Sequence, residues 1–179
     1  TCVMKTELFI SLIKEAKKLS SMYTLADILK ANCGTLDIRG VAHKGFFASI
    51  TDFPSYYDAN MNLLDYKAAQ ELFHENWPIY TRTNDSCPTQ YFDTAEVKNS
   101  VISNGCQIEG TVENSVIGRG CVIKKGAVVK NSVVLAEVTV GEGVHVENEV
   151  VDKWARLVHE KEIVSPADQP GYIRRGDIL

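Results

Sequence analysis

The chain has 179 residues, a formal net charge of −4 and an apolar share of 45%. That length holds one large domain or two small ones, and the mild charge gives no reason to expect a polyanion such as nucleic acid as partner. Five cysteines without close pairing suit a reducing cytoplasm rather than a disulfide framework. No apolar run approaches the ~18 residues of a membrane span, and no signal peptide is visible, so a cytoplasmic location is expected. The chain opens at Thr1, without methionine and in an apolar run, which reads as a piece of something longer.

Cys2–Met4 reads as a short strand. Thr6 is the expected N-cap of a helix whose face carries Leu8, Leu12, Ala16 and Leu19 at helical spacing. A second helix is predicted from about Thr24 to Asn32, ended near Gly34, and a strand over Thr35–Ala42. Gly45–Ile50 reads as loop and strand end. Pro54 can open a helix at its first turn, holding Tyr56, Tyr57, Met61, Leu63 and Leu64, and a short helix follows over Tyr66–Phe73. Alternating strands and helices imply an α/β layer, yet two or three strands are a poor core for ~90 residues. Residues 1–92 are therefore expected to be the end of a larger α/β domain plus a linker, which includes Asn76–Tyr80 and Thr83–Ser86.

From Val97 to Val158 the chain repeats itself. Asn-Ser-Val-Ile at Asn99–Ile102 returns at Asn114–Ile117, as Asn131–Val134 and, altered, as Asn148–Val151, at intervals of 15, 17 and 17 residues. Ile108, Ile123, Val140 and Leu157 follow the same steps, and Val112, Val129 and Val146 keep the interval of 17. Three aliphatic positions per period mark a β-solenoid with three short strands per coil. Cys106, Cys121 and Ala127 would fill the small inward positions, with glycines at the corners. The four asparagines would form a ladder of amides bonded coil to coil. Residues 93–179 are thus expected to be a mainly β solenoid domain, its tail beyond Val158 a loop-like cap.

Several stretches resemble the bacterial ADP-glucose pyrophosphorylase (glucose-1-phosphate adenylyltransferase) family. They are Tyr57–Leu64, Asn76–Thr81, Val97–Ile102 and Gly110–Ile117. The resemblance covers nearly the whole chain and implies a left-handed parallel β-helix, preceded by the α/β tail of a nucleotidyltransferase domain. It implies a role in glycogen biosynthesis, with the β-helix serving assembly and regulation. Catalytic members read Gly-Tyr-Trp-Arg-Asp-Val-Gly-Thr ahead of the Tyr pair. Counted back from Tyr56-Tyr57, their Arg falls on Ala48, their Mg²⁺-holding Asp on Ser49 and their Gly on Thr51. A neutral hydroxyl cannot replace an anionic ligand for Mg²⁺; Asp52 is the nearest carboxylate. The resemblance is therefore closest to the regulatory D-type subunit, which pairs with a catalytic C-type subunit. No metal or cofactor is expected here, and Mg²⁺ is expected in the catalytic partner. Self-association and a sugar-phosphate or nucleotide effector are also implied. Arg119, Lys124, Lys125, Lys130, Arg174 and Arg175 are the candidate anion-binding residues, since Lys and Arg offer charge and Arg a bidentate fork.

Two other readings stand beside this one. Hexapeptide solenoids also serve as acyltransferases with a histidine base, for which His145 and His159 are the only candidates in the repeat; alternation points His145 outward. His43 and His74 lie outside the repeat. The chain could equally be a pure assembly module. The sequon Asn84-Asp85-Ser86 is read as chance.

Overall fold

The computed structural model describes residues 2–18, 24–81 and 85–179. Thr1, Leu19 of the predicted helical face and Thr83–Asn84 of the predicted linker and sequon lie outside the described residues. The chain divides into two compact units, Thr1–Lys44 and Gly45–Leu179.

The first unit is helical. Helix α1 (Thr6–Ala16) starts at the residue expected to cap it; Lys5 holds the cap position and no side chain caps. Leu12 is its one buried residue. Helix α2 (Leu25–Ala31) is closed by a reciprocal capping box in which the Thr24 hydroxyl accepts from Asp27 N–H and the Asp27 carboxylate accepts from Thr24 N–H. Neither Cys2–Met4 nor Thr35–Ala42 becomes a strand. A strand needs a partner edge for its backbone groups, and Val3 and Val41 are instead 97% and 92% exposed.

In the second unit, helix α3 (Phe53–Asn62) and helix α4 (Tyr66–Leu72) fall where the sequence places them, except that α3 ends before Leu63 and Leu64, with Leu63 its C-cap. Asp52 starts α3: its carboxylate accepts from Ser55 N–H at 2.9 Å, and Pro54 stands in the first turn, where no helical hydrogen bond is lost. Among the described residues, fifteen strands then form a parallel β-helix in five tiers. The first tier is β1 (Gln90–Tyr91), β2 (Glu96–Lys98) and β3 (Val101–Ile102). The second is β4 (Gln107–Ile108), β5 (Thr111–Glu113) and β6 (Val116–Ile117), and the third β7 (Val122–Ile123), β8 (Val128–Lys130) and β9 (Val133–Val134). The fourth is β10 (Thr139–Val140), β11 (His145–Glu147) and β12 (Glu149–Val151), and the fifth β13 (Arg156–Leu157), β14 (Glu162–Val164) and β15 (Gly171–Ile173). They stack into three five-stranded sheets, one per side.

The register follows the sequence repeat. Ile108, Ile123, Val140 and Leu157 stack inside the first sheet, and Val112, Val129 and Val146 inside the second, all with no exposed surface. The segment beyond Val158 is not only a cap, because β14 and β15 complete a fifth tier. The repeat is hidden there because the turn 165–170 is longer: Tyr172 pairs with Val150 across 22 residues, where Val133 and Val150 are 17 apart.

Two columns at one corner account for the Asn-Ser pair. Asn99, Asn114, Asn131 and Asn148 all have φ between 44° and 57°, a left-handed conformation that asparagine tolerates better than most residues. Only Asn99 and Asn114 bond amide to amide, at 2.7 Å; Asn131 turns to Glu147 and Asn148 to the carbonyl of Ser165. Backbone geometry, not an amide ladder, selects asparagine here. The serines that follow do form a ladder. Ser115 and Ser132 each donate to the carbonyl two residues back and accept the N–H of the next tier at 3.1 Å. This satisfies buried hydroxyls and backbone together.

The third sheet is apolar on both faces. Its outward column of Val101, Val116, Val133, Val150 and Tyr172 receives α3. Tyr57 is buried against Val133 and Val150, flanked by Phe53, Tyr56 and Met61.

Candidate functional site

Position 49 lies in the irregular stretch before α3 and is exposed. Asp52, the nearest carboxylate in sequence, accepts from Ser55 N–H at 2.9 Å as the N-cap of α3, and the Ser55 hydroxyl in turn accepts from Asp52 N–H at 3.1 Å. The bond from Ser55 holds the Asp52 carboxyl below the usual carboxylate range. One neutral hydroxyl and one carboxylate committed to a helix end do not fit a Mg²⁺ site, which takes anionic oxygens with free lone pairs. Among the described residues no three His, Cys, Asp or Glu side chains gather as a metal set.

The basic residues fall on two corners of the solenoid, apart from Lys130 at the end of β8. Lys124 and Lys125 follow β7, between the first and second sheets. Lys124 stands 3.9 Å from Glu109, and Lys130 on the second sheet stands 3.7 Å from Glu113. Arg119, Arg174 and Arg175 lie on the corner between the third and first sheets. There Glu137 N–H bonds Arg119 O, Trp154 N–H bonds Ala136 O, and Gly176 N–H bonds Lys153 O. Arg119, Ala136, Lys153 and Arg175 are thus successive equivalents. Three interstrand steps of ~4.8 Å separate Arg119 from Arg175, about 14 Å. Arg174 and Arg175 are neighbours, and Arg119 and the lysines stand apart from them.

At the Arg175 position the geometry is more specific than charge alone. The Arg175 guanidinium lies 3.9 Å over the Trp154 ring, a cation–π stack. Tyr172 Oη donates to Asp152 at 2.8 Å, and Phe53 packs edge-on against Tyr172. Sequence reasoning named Arg174 and Arg175 but missed Trp154. Its signal was an indole at a corner where the neighbouring tiers put Glu137 and Gly176.

His145 points outward on the second sheet, as alternation predicts. Its Nδ1 is 3.1 Å from Glu162 and its Nε2 is 3.2 Å from Glu147, so both nitrogens face carboxylates of their own sheet. A general base for acyl transfer needs one of them aimed at substrate. His43, His74 and His159 are exposed. Cys106 and Cys121 stack in the core and donate to Gly118 O and Leu135 O, at 3.1 and 3.0 Å. The Cys106 sulfur and burial push the Cys121 thiol up, which keeps it protonated and inert.

A buried carboxylate went unnoticed in the sequence. Glu149 takes the serine position in the fourth tier, is 4% exposed and accepts from the Ser165 hydroxyl at 2.5 Å. A side chain at Gly171, next in the column, would strike that carboxylate. Burial raises the Glu149 pKa and Ser165 only partly offsets this. Its folded pKa therefore exceeds its unfolded one, so the contribution is fully favourable at pH below ~4.3 and is lost as pH rises through the folded value. Glu149→Gln should accordingly raise the melting temperature at pH 7, with the gain vanishing below about pH 4. A gain independent of pH would exclude ionisation as its cause.

Residues 88–169 match the family model "GlmU-like, C-terminal hexapeptide". The chain is 34% identical over 141 residues to a glucose-1-phosphate adenylyltransferase of Fervidobacterium nodosum, covering 78% of this chain and 34% of that one. It is 30% identical over 153 residues to the glycogen biosynthesis protein GlgD of Bacillus subtilis, covering 86% and 45%. It is 35% identical over 127 residues to GlgD of Geobacillus stearothermophilus, covering 71% and 37%. The chain thus spans about a third to under a half of the length of these relatives. Among the described residues no helix is long and apolar enough to cross a membrane.

Proposed function

We propose that this chain, a homologue of the glucose-1-phosphate adenylyltransferase and GlgD proteins, belongs to a regulatory, catalytically degenerate subunit of glucose-1-phosphate adenylyltransferase in glycogen biosynthesis. The intact enzyme would join ATP and glucose 1-phosphate into ADP-glucose and pyrophosphate. This subunit would assemble with a catalytic one, which carries the Mg²⁺, and would supply effector response. One observation carries the reading. Where catalytic members of the family resembled hold Mg²⁺ with an aspartate, this chain offers Ser49, and its nearest carboxylate, Asp52, caps α3. Likeness to proteins named for glycogen biosynthesis supports the pathway, and the division at 92/93 into nucleotidyltransferase-like and β-helix domains belongs to the same proposal.

The test is to produce the intact polypeptide and a catalytic subunit, separately and together, and to measure ADP-glucose formation. The regulatory subunit alone should show no turnover, and its presence should change the activity or effector response of its partner. Ser49→Asp alone should restore little, because Ala48 and Thr51 also depart from the catalytic pattern. Metal stabilisation is worth several kcal/mol and each ~1.4 kcal/mol is tenfold in rate, so the deficit should span orders of magnitude. Robust Mg²⁺-dependent turnover by the unmodified subunit alone would sink the degenerate reading, and identical partner activity with and without it would sink the regulatory one.

A further inference from the structure

We propose that Glu149 is a proton-operated latch on the last tier of the β-helix: protonated, it holds the turn 165–170 and β15 shut, and ionised, it lets them open. In the tiers below, the chain crosses from the second sheet to the third in one or two residues, Asn148 in the fourth tier and Asn131–Ser132 in the third. In the fifth tier the crossing runs from 165 to 170 and includes Pro166 and Pro170, which have no N–H to give. Ser165 ties its start. The Ser165 N–H donates to Glu147 O at 3.1 Å, its carbonyl accepts from Asn148 Nδ2 at 2.8 Å, and its hydroxyl donates to the Glu149 carboxylate at 2.5 Å. Gly171 ties the end, its N–H donating to Asn148 O at 3.0 Å. Between these ties, Gln169 N–H bonds back to Pro166 O within the turn.

One of these ties can change its charge. Ser115 and Ser132 fill the column with neutral hydroxyls, and the fourth tier puts a carboxylate there, against Gly171 of the tier above. Strands β14 and β15 are the end strands of their sheets. Lifting the turn and β15 therefore brings water to Glu149 without parting any other tier, a local opening of the kind end elements undergo. A buried carboxylate gains by that hydration, and a neutral carboxyl does not. Burial accordingly raises the Glu149 pKa, and the Ser165 bond lowers it by less. The charged and titratable groups on the elements around it have partners of their own. Lys130 on β8 stands with Glu113, Glu147 on β11 with His145, and Asp152 after β12 with Tyr172 of β15. Tyr57 of α3 donates to Asn131 O, and Asp168 in the turn is exposed. Proton binding thus favours the closed tier. Its contribution is complete below about pH 4.3 and is lost as pH rises through the closed-state pKa.

The latch stands whether or not the chain is a regulatory subunit, and it is read on the 179-residue chain itself. Hydrogen exchange is followed from about pH 4 to pH 8, with rates corrected for the intrinsic effect of pH. The reporters are the N–H groups of Ser165 and Gly171, and the reference is Val128 N–H, bonded to Val144 O in the middle of the second sheet. Opening at the reporters, relative to the reference, should rise by at least about threefold over that range. Glu149→Ser gives the fourth tier the residue that its column holds at Ser115 and Ser132, so it should fold and show no such rise. Glu149→Gln, neutral at every pH and closer in shape, should also stay flat. Ser165→Ala removes the one bond that favours the ionised form and should steepen the rise. A flat profile in the parent, or an equal rise in Glu149→Ser and Glu149→Gln, would overturn the latch. So would a rise shared in full by Val128, because the proton would then act on the whole solenoid and not on its last tier.

Discussion

Replacing Ile123 by Asp should unfold the solenoid at room temperature. Ile123 has no exposed surface and stacks between Ile108 and Val140 in a column closed by Leu157. The change removes a branched side chain from a packed interior, at about 2–5 kcal/mol, and puts an ionisable group where nothing can solvate it. Together these approach the 5–15 kcal/mol that holds a typical domain folded. Circular dichroism should show the β signal lost or its melting point lowered by tens of degrees. The adjacent Lys124 provides the control, because it faces outward and only stands 3.9 Å from Glu109. Lys124→Asp loses that weak pair and sets a carboxylate near another, a cost under about 1 kcal/mol. If both variants melt near the parent, the inward assignment of Ile123 is wrong.

That contrast also explains why the solenoid was legible in the sequence and the first 89 residues less so. A coil repeats its environment, so the demand for an aliphatic at Ile108 recurs at Ile123 and Val140 and shows as spacing. Corner geometry was legible too, although the asparagines are fixed by φ rather than by amide pairing. The fifth tier was obscured by one longer turn before Gly171. Before the repeat, helices α1 to α4 could be read from their caps and faces. The strands at Cys2–Met4 and Thr35–Ala42 could not be judged, because a strand depends on a neighbour that local sequence does not specify. The candidate site was legible only as chemistry. Arg174 and Arg175 announce charge, but the meeting of Arg175 with Trp154 depends on tier stacking across a turn whose length breaks the repeat. Glu149 was hidden for a similar reason: a glutamate in a polar corner reads as surface until the buried serine column beneath it is seen.

Tyr57→Ala should release α3 from the solenoid without unfolding the solenoid itself. The Tyr57 ring is buried against Val133 and Val150, and its hydroxyl donates to Asn131 O at 2.5 Å. That carbonyl belongs to a residue at φ 45°, so the bond ties α3 to the corner that every tier shares. Removing a buried aromatic costs about 3–5 kcal/mol, and Phe53, Tyr56 and Met61 would remain as a weaker contact. Hydrogen exchange should therefore quicken by two or more orders of magnitude across α3, following ~1.4 kcal/mol per decade, while Val112, Val129 and Val146 stay protected. Tyr57→Phe keeps the ring and loses only the bond, about 1 kcal/mol, so its exchange should quicken by roughly tenfold or less. Ser49 precedes the N-cap Asp52 by three residues. The docking of α3 thus fixes the end of the segment that carries Ser49. Unchanged exchange in α3 of Tyr57→Ala would mean that the remaining apolar contacts suffice, and that Tyr57 does not govern how this segment is held against the solenoid.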